Sequence, residues 1–236
     1  VLPEALFANA RFDGGDGNDR IVASGNVDFA LSDYSLTSSA GGSVLLESTV
    51  ESALLSGGAG DNRFNVSLFT GNATLEGAGG SDTVREFGNL TRFTLGDTQL
   101  IGAGSRTLNS VEQAELIGGT SANEFVLDGF SGAATIDGGD GFDTLTQTAD
   151  VNFTLDDFNL VSTAVVSLNS IERARLTGGT SDNLLNALGF TGRTTLDGAG
   201  GNDTILGGRG DDSLLGGTGA DSIRGGEGND ILRGNT

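Results

Sequence analysis

Asp203, Asp212, Asp221 and Asp230 follow one another at intervals of nine residues, and each closes a glycine-rich hexapeptide. The four read Gly198-Ala-Gly-Gly-Asn-Asp203, Gly207-Gly-Arg-Gly-Asp-Asp212, Gly216-Gly-Thr-Gly-Ala-Asp221 and Gly225-Gly-Glu-Gly-Asn-Asp230. Three residues follow each aspartate, with Ile205, Leu214, Ile223 or Leu232 in the middle. A carboxylate that recurs beside glycine carbonyls is suited to all-oxygen coordination of a hard cation. The pattern G-G-x-G-x-D-x-U-x, with U large and apolar, is a calcium-binding β-solenoid signature, and four tandem copies in one frame make it specific.

The spacing states what must position those carboxylates. Glycines take the left-handed conformations of a sharp turn without a Cβ penalty. The three residues after Asp form a short strand whose middle side chain points inward. One nonapeptide is half a coil, so repeats n and n+2 stack about 4.8 Å apart on one side. The turns at 178, 198 and 216 then stack, pairing Asn183 with Asp203 and Asp203 with Asp221. The turns at 207 and 225 pair Asp212 with Asp230. Carbonyls of Gly198, Gly200, Gly207, Gly216 and Gly225 complete the expected cages, and Arg209 is left out of them. The same turns can also close through side-chain to backbone hydrogen bonds without metal.

A longer repeat lies behind the short one. The turn that begins at Asp13 recurs at Glu76, Asp137 and Asp197, at spacings of 63, 61 and 60 residues, and ends in Asp19, Asp82, Asp143 and Asp203. Degenerate turns ending in Asn62, Asn123 and Asn183 each precede a full one by 20 residues. The expected pairs here are Asn62 with Asp82 and Asn123 with Asp143, weaker than the Asp–Asp pairs because amide oxygen is neutral. Asp19 lacks an upstream partner. The chain reads as one continuous solenoid with long repeats 13–75, 76–136 and 137–196 and a nonapeptide array at 197–236. Residues 1–12 resemble the end of a preceding unit. Each long repeat is expected to make three coils of about 20 residues, tightening to about 18 in the nonapeptides. The first repeat carries its extra length near Ala40 to Val44.

Phe29, Phe93 and Phe153 recur in matched strands, as do Phe64, Phe125 and Leu185, and Phe69, Phe130 and Phe190. They are expected as core ladders, with an aromatic ligand platform as the alternative. Glu51, Glu112 and Glu172 form one column, read as a solvated face or turn cap against glycosidase-type acid chemistry.

The 236 residues include 41 Gly, 32 acidic and 12 basic side chains, no His, Cys, Met or Trp, and one Tyr. A net charge of −20 argues against nucleic acid or an anionic membrane as partner, and bound Ca²⁺ is the economical counter-charge. Without Cys there are no disulfides or thiolate sites. Without His or Cys there is no Ser–His triad or thiol nucleophile, and without Lys there is no Schiff base. No apolar run is long enough to span a bilayer. The absence of an initiating Met suggests a segment of something longer.

These residues resemble the RTX, or haemolysin-type, calcium-binding repeats. The match is specific over 198–233, kept as single turns at 14–22, 77–85 and 138–146, and weakened at 57–65, 118–126 and 178–186. The resemblance implies a right-handed parallel β-roll that binds several Ca²⁺ ions, folds on doing so, and is exported by type I secretion. Together with that resemblance, the longer coils before residue 197 lead to the expectation of an all-β solenoid, right-handed as the resemblance implies, in which a wider parallel β-helix passes into a calcium β-roll. The expected function is a structural or adhesive segment of a large extracellular or cell-surface protein, not an enzyme. Its partners would be neighbouring repeats, a second copy or a surface glycan, without membrane insertion. The alternatives are a β-helix lyase or hydrolase working through carboxylates, and a calcium-triggered module that assists secretion of a passenger.

Overall fold

The computed structural model describes residues 10–47 and 50–234, so residues 1–9 of the expected preceding unit lie outside the described residues. Every helix or strand element among them is a β-strand. The period-two alternation of the sequence sets the faces. In Ser52–Ser56, Ala53 and Leu55 are buried, and in Gln113–Ile117 the same holds for Ala114 and Leu116.

The chain divides into two compact units, Val1–Leu90 with Gly96–Ile117, and Thr91–Leu95 with Gly118–Thr236. In the first, one sheet runs in the order Ala10–Phe12, Ser43–Leu46, Ser35–Ser38, Phe29–Ser32, Arg63–Leu68, Thr83–Phe87, Gln113–Ile117. The facing sheet contains Arg20–Ser24, Ser52–Ser56, Asn72–Glu76, Ser105–Asn109 and Gln99–Ile101. In the second unit, one sheet runs Ala133–Asp137, Val165–Asn169, Asn159–Val161, Phe153–Asp156, Leu184–Gly189, Thr204–Leu206, Ser222–Arg224. The other runs Arg92–Leu95, Glu124–Leu127, Thr144–Thr148, Arg173–Thr177, Arg193–Asp197, Ser213–Leu215, Ile231–Arg233. Parallel pairing dominates, as a β-solenoid requires.

The short coils have the expected lengths. Ser52 pairs with Asn72 and Arg173 with Arg193, steps of 20 residues. In the nonapeptides Thr195 pairs with Ser213 and Ser213 with Ile231, steps of 18. The long repeat differs from three equal coils. Arg20 pairs with Ser52, a step of 32, because Phe29–Ser32, Ser35–Ser38 and Ser43–Leu46 fold back on one another antiparallel. Phe153–Asp156, Asn159–Val161 and Val165–Asn169 do the same, and Gln99–Ile101 is antiparallel to Ser105–Asn109. Side chains make these reversals. Ser32 Oγ accepts the N–H groups of Tyr34 and Ser35 at 3.2 and 3.0 Å. Asp156 Oδ1 accepts those of Phe158 and Asn159 at 2.8 and 2.7 Å. Such Asx and Ser turns favour hairpins. The extra length near Ala40 to Val44 forms the second reversal, with Gly41 and Gly42 at φ of 98° and 85°.

The phenylalanine columns are core. Phe29 stacks on Phe64 with centroids 6.0 Å apart, and Phe93 on Phe125 at 5.0 Å. Phe69, Phe130, Phe153 and Phe190 are also buried. Phe125→Ala should therefore cost about 3–5 kcal/mol, read as a lower unfolding midpoint by circular dichroism in urea. The loss should be confined to the coils next to it, because solenoid repeats touch only their neighbours.

Candidate metal centres

The structure brings the predicted partners together, through one recurring bond. The backbone N–H of each turn's sixth residue donates to Oδ1 of the aspartate in the next turn on that side. The distances are 2.7 Å from Asn62 to Asp82, 2.6 Å from Asn123 to Asp143 and 2.7 Å from Asn183 to Asp203. They are 2.9 Å from Asp203 to Asp221 and 3.0 Å from Asp212 to Asp230. Each carboxylate is thus carried under the preceding turn. Asp82, Asp143, Asp203 and Asp212 are buried.

The other oxygen divides the turns into two kinds. In the closed kind, the second residue donates its N–H to the sixth side chain. Gly58 donates to Asn62, Gly119 to Asn123, Gly179 to Asn183 and Gly208 to Asp212, at 2.7, 2.9, 2.8 and 2.7 Å. In the open kind the second residue is left-handed, with φ of 81° at Gly15, 73° at Ala78, 85° at Gly139, 69° at Ala199, 99° at Gly217 and 111° at Gly226. The N–H then points elsewhere: those of Gly139 and Ala199 reach Asp137 and Asp197 at 3.1 and 3.0 Å. For Ala78 and Ala199 the left-handed state costs roughly 1–2 kcal/mol. In the first five of these turns Oδ2 of Asp19, Asp82, Asp143, Asp203 and Asp221 is buried without a hydrogen-bond partner among the described residues.

A buried carboxylate oxygen with no partner is costly, and a cation removes that cost. The donors suit Ca²⁺. They are oxygens only, and among the described residues no three Asp, Glu, His or Cys converge, so backbone carbonyls must supply much of the shell. The first glycine of each turn makes room for them. A Cβ at Gly198 would collide with Asp203 Oδ2 and the Gly216 carbonyl, and one at Gly216 with Asp221 Oδ2 and the Gly234 carbonyl. Gly207 has the same relation to Asp212 and Gly225, and Gly225 to Asp230. Gly200 bridges to Thr218 of the next coil. An ion in an open turn would be held by Asp19, Asp82, Asp143, Asp203 or Asp221 with glycine carbonyls around it.

The glutamate column continues the same ladder. Oε2 of Glu51, Glu112 and Glu172 accepts the N–H of Asp19, Asp82 and Asp143 at 2.8, 3.0 and 2.8 Å. Glu112 and Glu172 do for their full turns what Asp82 and Asp143 do for the turns before them. Asp19, expected to lack an upstream partner, thus has a downstream one. An outer ladder was not anticipated from the sequence. The Oδ1 atoms of Asp61, Asp182, Asn202 and Asp211 accept N–H groups of Ser81, Asn202, Ala220 and Asn229 at 2.6–2.9 Å. Its signal is the Asp or Asn at the fifth turn position, which a search for metal ligands passes over as a variable site. Asn26 and Asp150 were missed too. Asn26 Oδ1 accepts the Gly60 N–H at 2.9 Å, and Asp150 Oδ1 the Ser181 N–H at 3.2 Å.

Burial raises the pKa of Asp82, Asp143, Asp203 and Asp212. The N–H donated by Asn62, Asn123, Asn183 or Thr194 opposes the shift, and nearby carboxylates add to it.

A family model described as the RTX calcium-binding nonapeptide repeat matches the chain in four copies, at residues 9–30, 126–146, 188–223 and 206–236. No curated protein matches the chain.

Carboxylates raised above the unfolded value of 3.8 stabilise the fold fully below that pH, and lose this contribution as pH rises through the folded values. In calcium-free buffer the melting temperature should therefore rise as pH falls from about 7 toward about 4. In saturating calcium it should fall over the same window, because protons displace the ion. Equal slopes in the two buffers would contradict metal binding at these carboxylates. Asp203→Asn should weaken calcium binding at least about tenfold by titration calorimetry, whereas Asp212→Asn, in a closed turn, should weaken it less.

Proposed function

We propose that this chain, which carries RTX calcium-binding nonapeptide repeats, is a calcium-stiffened structural segment of an extracellular or cell-surface protein. One observation carries the reading. The unpaired carboxylate oxygens of Asp19, Asp82, Asp143, Asp203 and Asp221 recur from repeat to repeat instead of gathering at one place. Ions bound there act as staples between coils in a chain that has no cysteine. A net charge of −20 opposes compaction until cations neutralise it. Such a chain stays open where calcium is scarce and folds where it is plentiful, which suits type I export. A secretion-assisting module for a passenger would use the same switch, but the turns repeat through both units, as a spacer requires.

The reading is structural and not catalytic. Glu51, Glu112 and Glu172, the acids set aside for glycosidase chemistry, already accept backbone N–H groups within the ladder.

Calcium added to chelated protein should produce a cooperative gain of β signal in circular dichroism and a large rise in melting temperature. Magnesium should not substitute at equal concentration, because it demands a smaller octahedral cage. An unchanged spectrum and melting temperature across the calcium titration would remove the basis of the proposal.

A further inference from the structure

We propose that Tyr34 and Phe158 are the stacking platforms of two binding sites for a neutral glycan. Both side chains stand clear of the core, 75% and 73% exposed, whereas Phe29 and Phe153 in the strands leading to them are buried. Each lines an open groove on its own unit. The grooves measure about 630 Å³ beside Tyr34 and about 880 Å³ beside Phe158, within the range of small-ligand sites. They are the same site built twice. Asp33, Glu51 and Thr70 in the first correspond to Asp157, Glu172 and Thr191 in the second.

The platforms are held in place. Tyr34 C=O accepts the Leu46 N–H at 2.8 Å, and Phe158 C=O accepts that of Leu168 at 2.7 Å. Next to them, Oδ1 of Asp33 and Asp157 accepts the N–H of Thr70 and Thr191, each at 2.7 Å, tying the tip to the far wall of its groove. The fold does not need the ring. In the middle repeat the same position is Thr98, whose C=O accepts the Leu108 N–H at 2.8 Å. An exposed aromatic on a fixed backbone presents a large apolar face at low entropic cost.

The polar surroundings select the occupant. The pyranose ring offers a C–H face to an aromatic and hydroxyls to the groups around it. Asn72 lines the first groove, and Arg193 with its partner Asp211, 3.3 Å away, lines the second. Phe142, 64% exposed, forms a second aromatic wall there. The first groove is lined by Asp33, Glu47 and Glu51 with no basic residue, which disfavours acidic sugars. A peptide adding as a strand finds no edge at either tip. Ser35–Ser38 and Asn159–Val161 are already paired on both sides, and strand addition needs a free edge.

Tyr34 is the sole tyrosine and there is no tryptophan, so intrinsic emission reports the first groove directly. The full chain in saturating calcium is titrated with cellohexaose, maltohexaose and mannohexaose. At least one should change Tyr34 emission saturably, with a dissociation constant of about 0.1–5 mM, as expected for a shallow open site. Tyr34→Thr and Phe158→Thr, which copy Thr98, should keep the dichroism spectrum. Each should lower the saturation-transfer NMR signal of the bound sugar by about half, and the double variant should lose it. No response to any of the three at roughly 20 mM, or full binding by the double variant, overturns the proposal. So does preference for a polyuronate or a peptide. A failed calcium response with intact sugar binding would sink the calcium reading and leave this one standing, and the converse pattern would do the reverse.

Discussion

A carboxylate buried between stacked backbone turns is the constraint on which the rest of the structure depends. Coils about 4.8 Å apart leave no room for side chains where the turns meet, so the first turn position is glycine and carbonyls face the gap. The aspartate that enters this gap has one oxygen satisfied by the N–H of the coil before it. The second oxygen must find a partner in the same dry space. The fold offers two answers, and one backbone angle chooses between them. With the second residue outside the left-handed region, its N–H closes the turn onto the side chain, as Gly208 does with Asp212. With that residue left-handed, as at Ala199, the N–H leaves and Asp203 Oδ2 stays unpaired.

This choice explains how the turns are graded along the chain. In the long repeats a closed asparagine turn always stacks on an open aspartate turn, which in the first two such stacks meets a glutamate: Asn62, Asp82, Glu112, and then Asn123, Asp143, Glu172. Asparagine supplies the closing oxygen without a second charge, so one formal charge is buried per asparagine–aspartate pair. In the last array aspartate stacks on aspartate, as Asp203 on Asp221. Asp221 repels Asp203 and, after burial, helps raise its pKa. The charge density that a divalent ion must offset is therefore highest where the coils are shortest.

Much of this was legible in the sequence. A nine-residue period with one carboxylate per turn admits few geometries, and the pairs from Asn62–Asp82 to Asp212–Asp230 follow from counting half-coils. The hairpins were not legible, because a parallel coil and an antiparallel return both alternate every two residues between polar turns. Ser32 and Asp156 carried the signal, as turn-capping side chains two and three residues before the N–H groups they hold. The glutamate column was seen, but its partner was not. Glu51 bonds Asp19 across 32 residues, and that distance follows from the hairpin excursion. Which turns are open depends on backbone angles that glycine does not disclose. Ala78 and Ala199 hold the same angle as Gly139 despite their Cβ atoms.

The ladder also explains how the repeats can diverge without losing the fold. Val44 pairs with Ala10 and Val166 with Ala134, both valines buried. At the same register, opposite Ala73, the middle repeat places Arg106, fully buried against Glu86 at 3.3 Å. The guanidinium also donates to the carbonyls of Gly71, Phe69 and Val66 at 2.7, 2.6 and 3.2 Å. Glu86 in turn accepts the Ala103 N–H at 2.7 Å. A buried ion pair of this kind adds little net stability over an apolar pair, but losing either partner is severe. It persists because its bonds close within adjacent coils, and a solenoid couples only neighbours. The same locality lets Tyr34 and Phe158 project from positions where the middle repeat keeps Thr98. Core chemistry and surface chemistry can each change one repeat at a time, while the stacked turns hold the register for all of them.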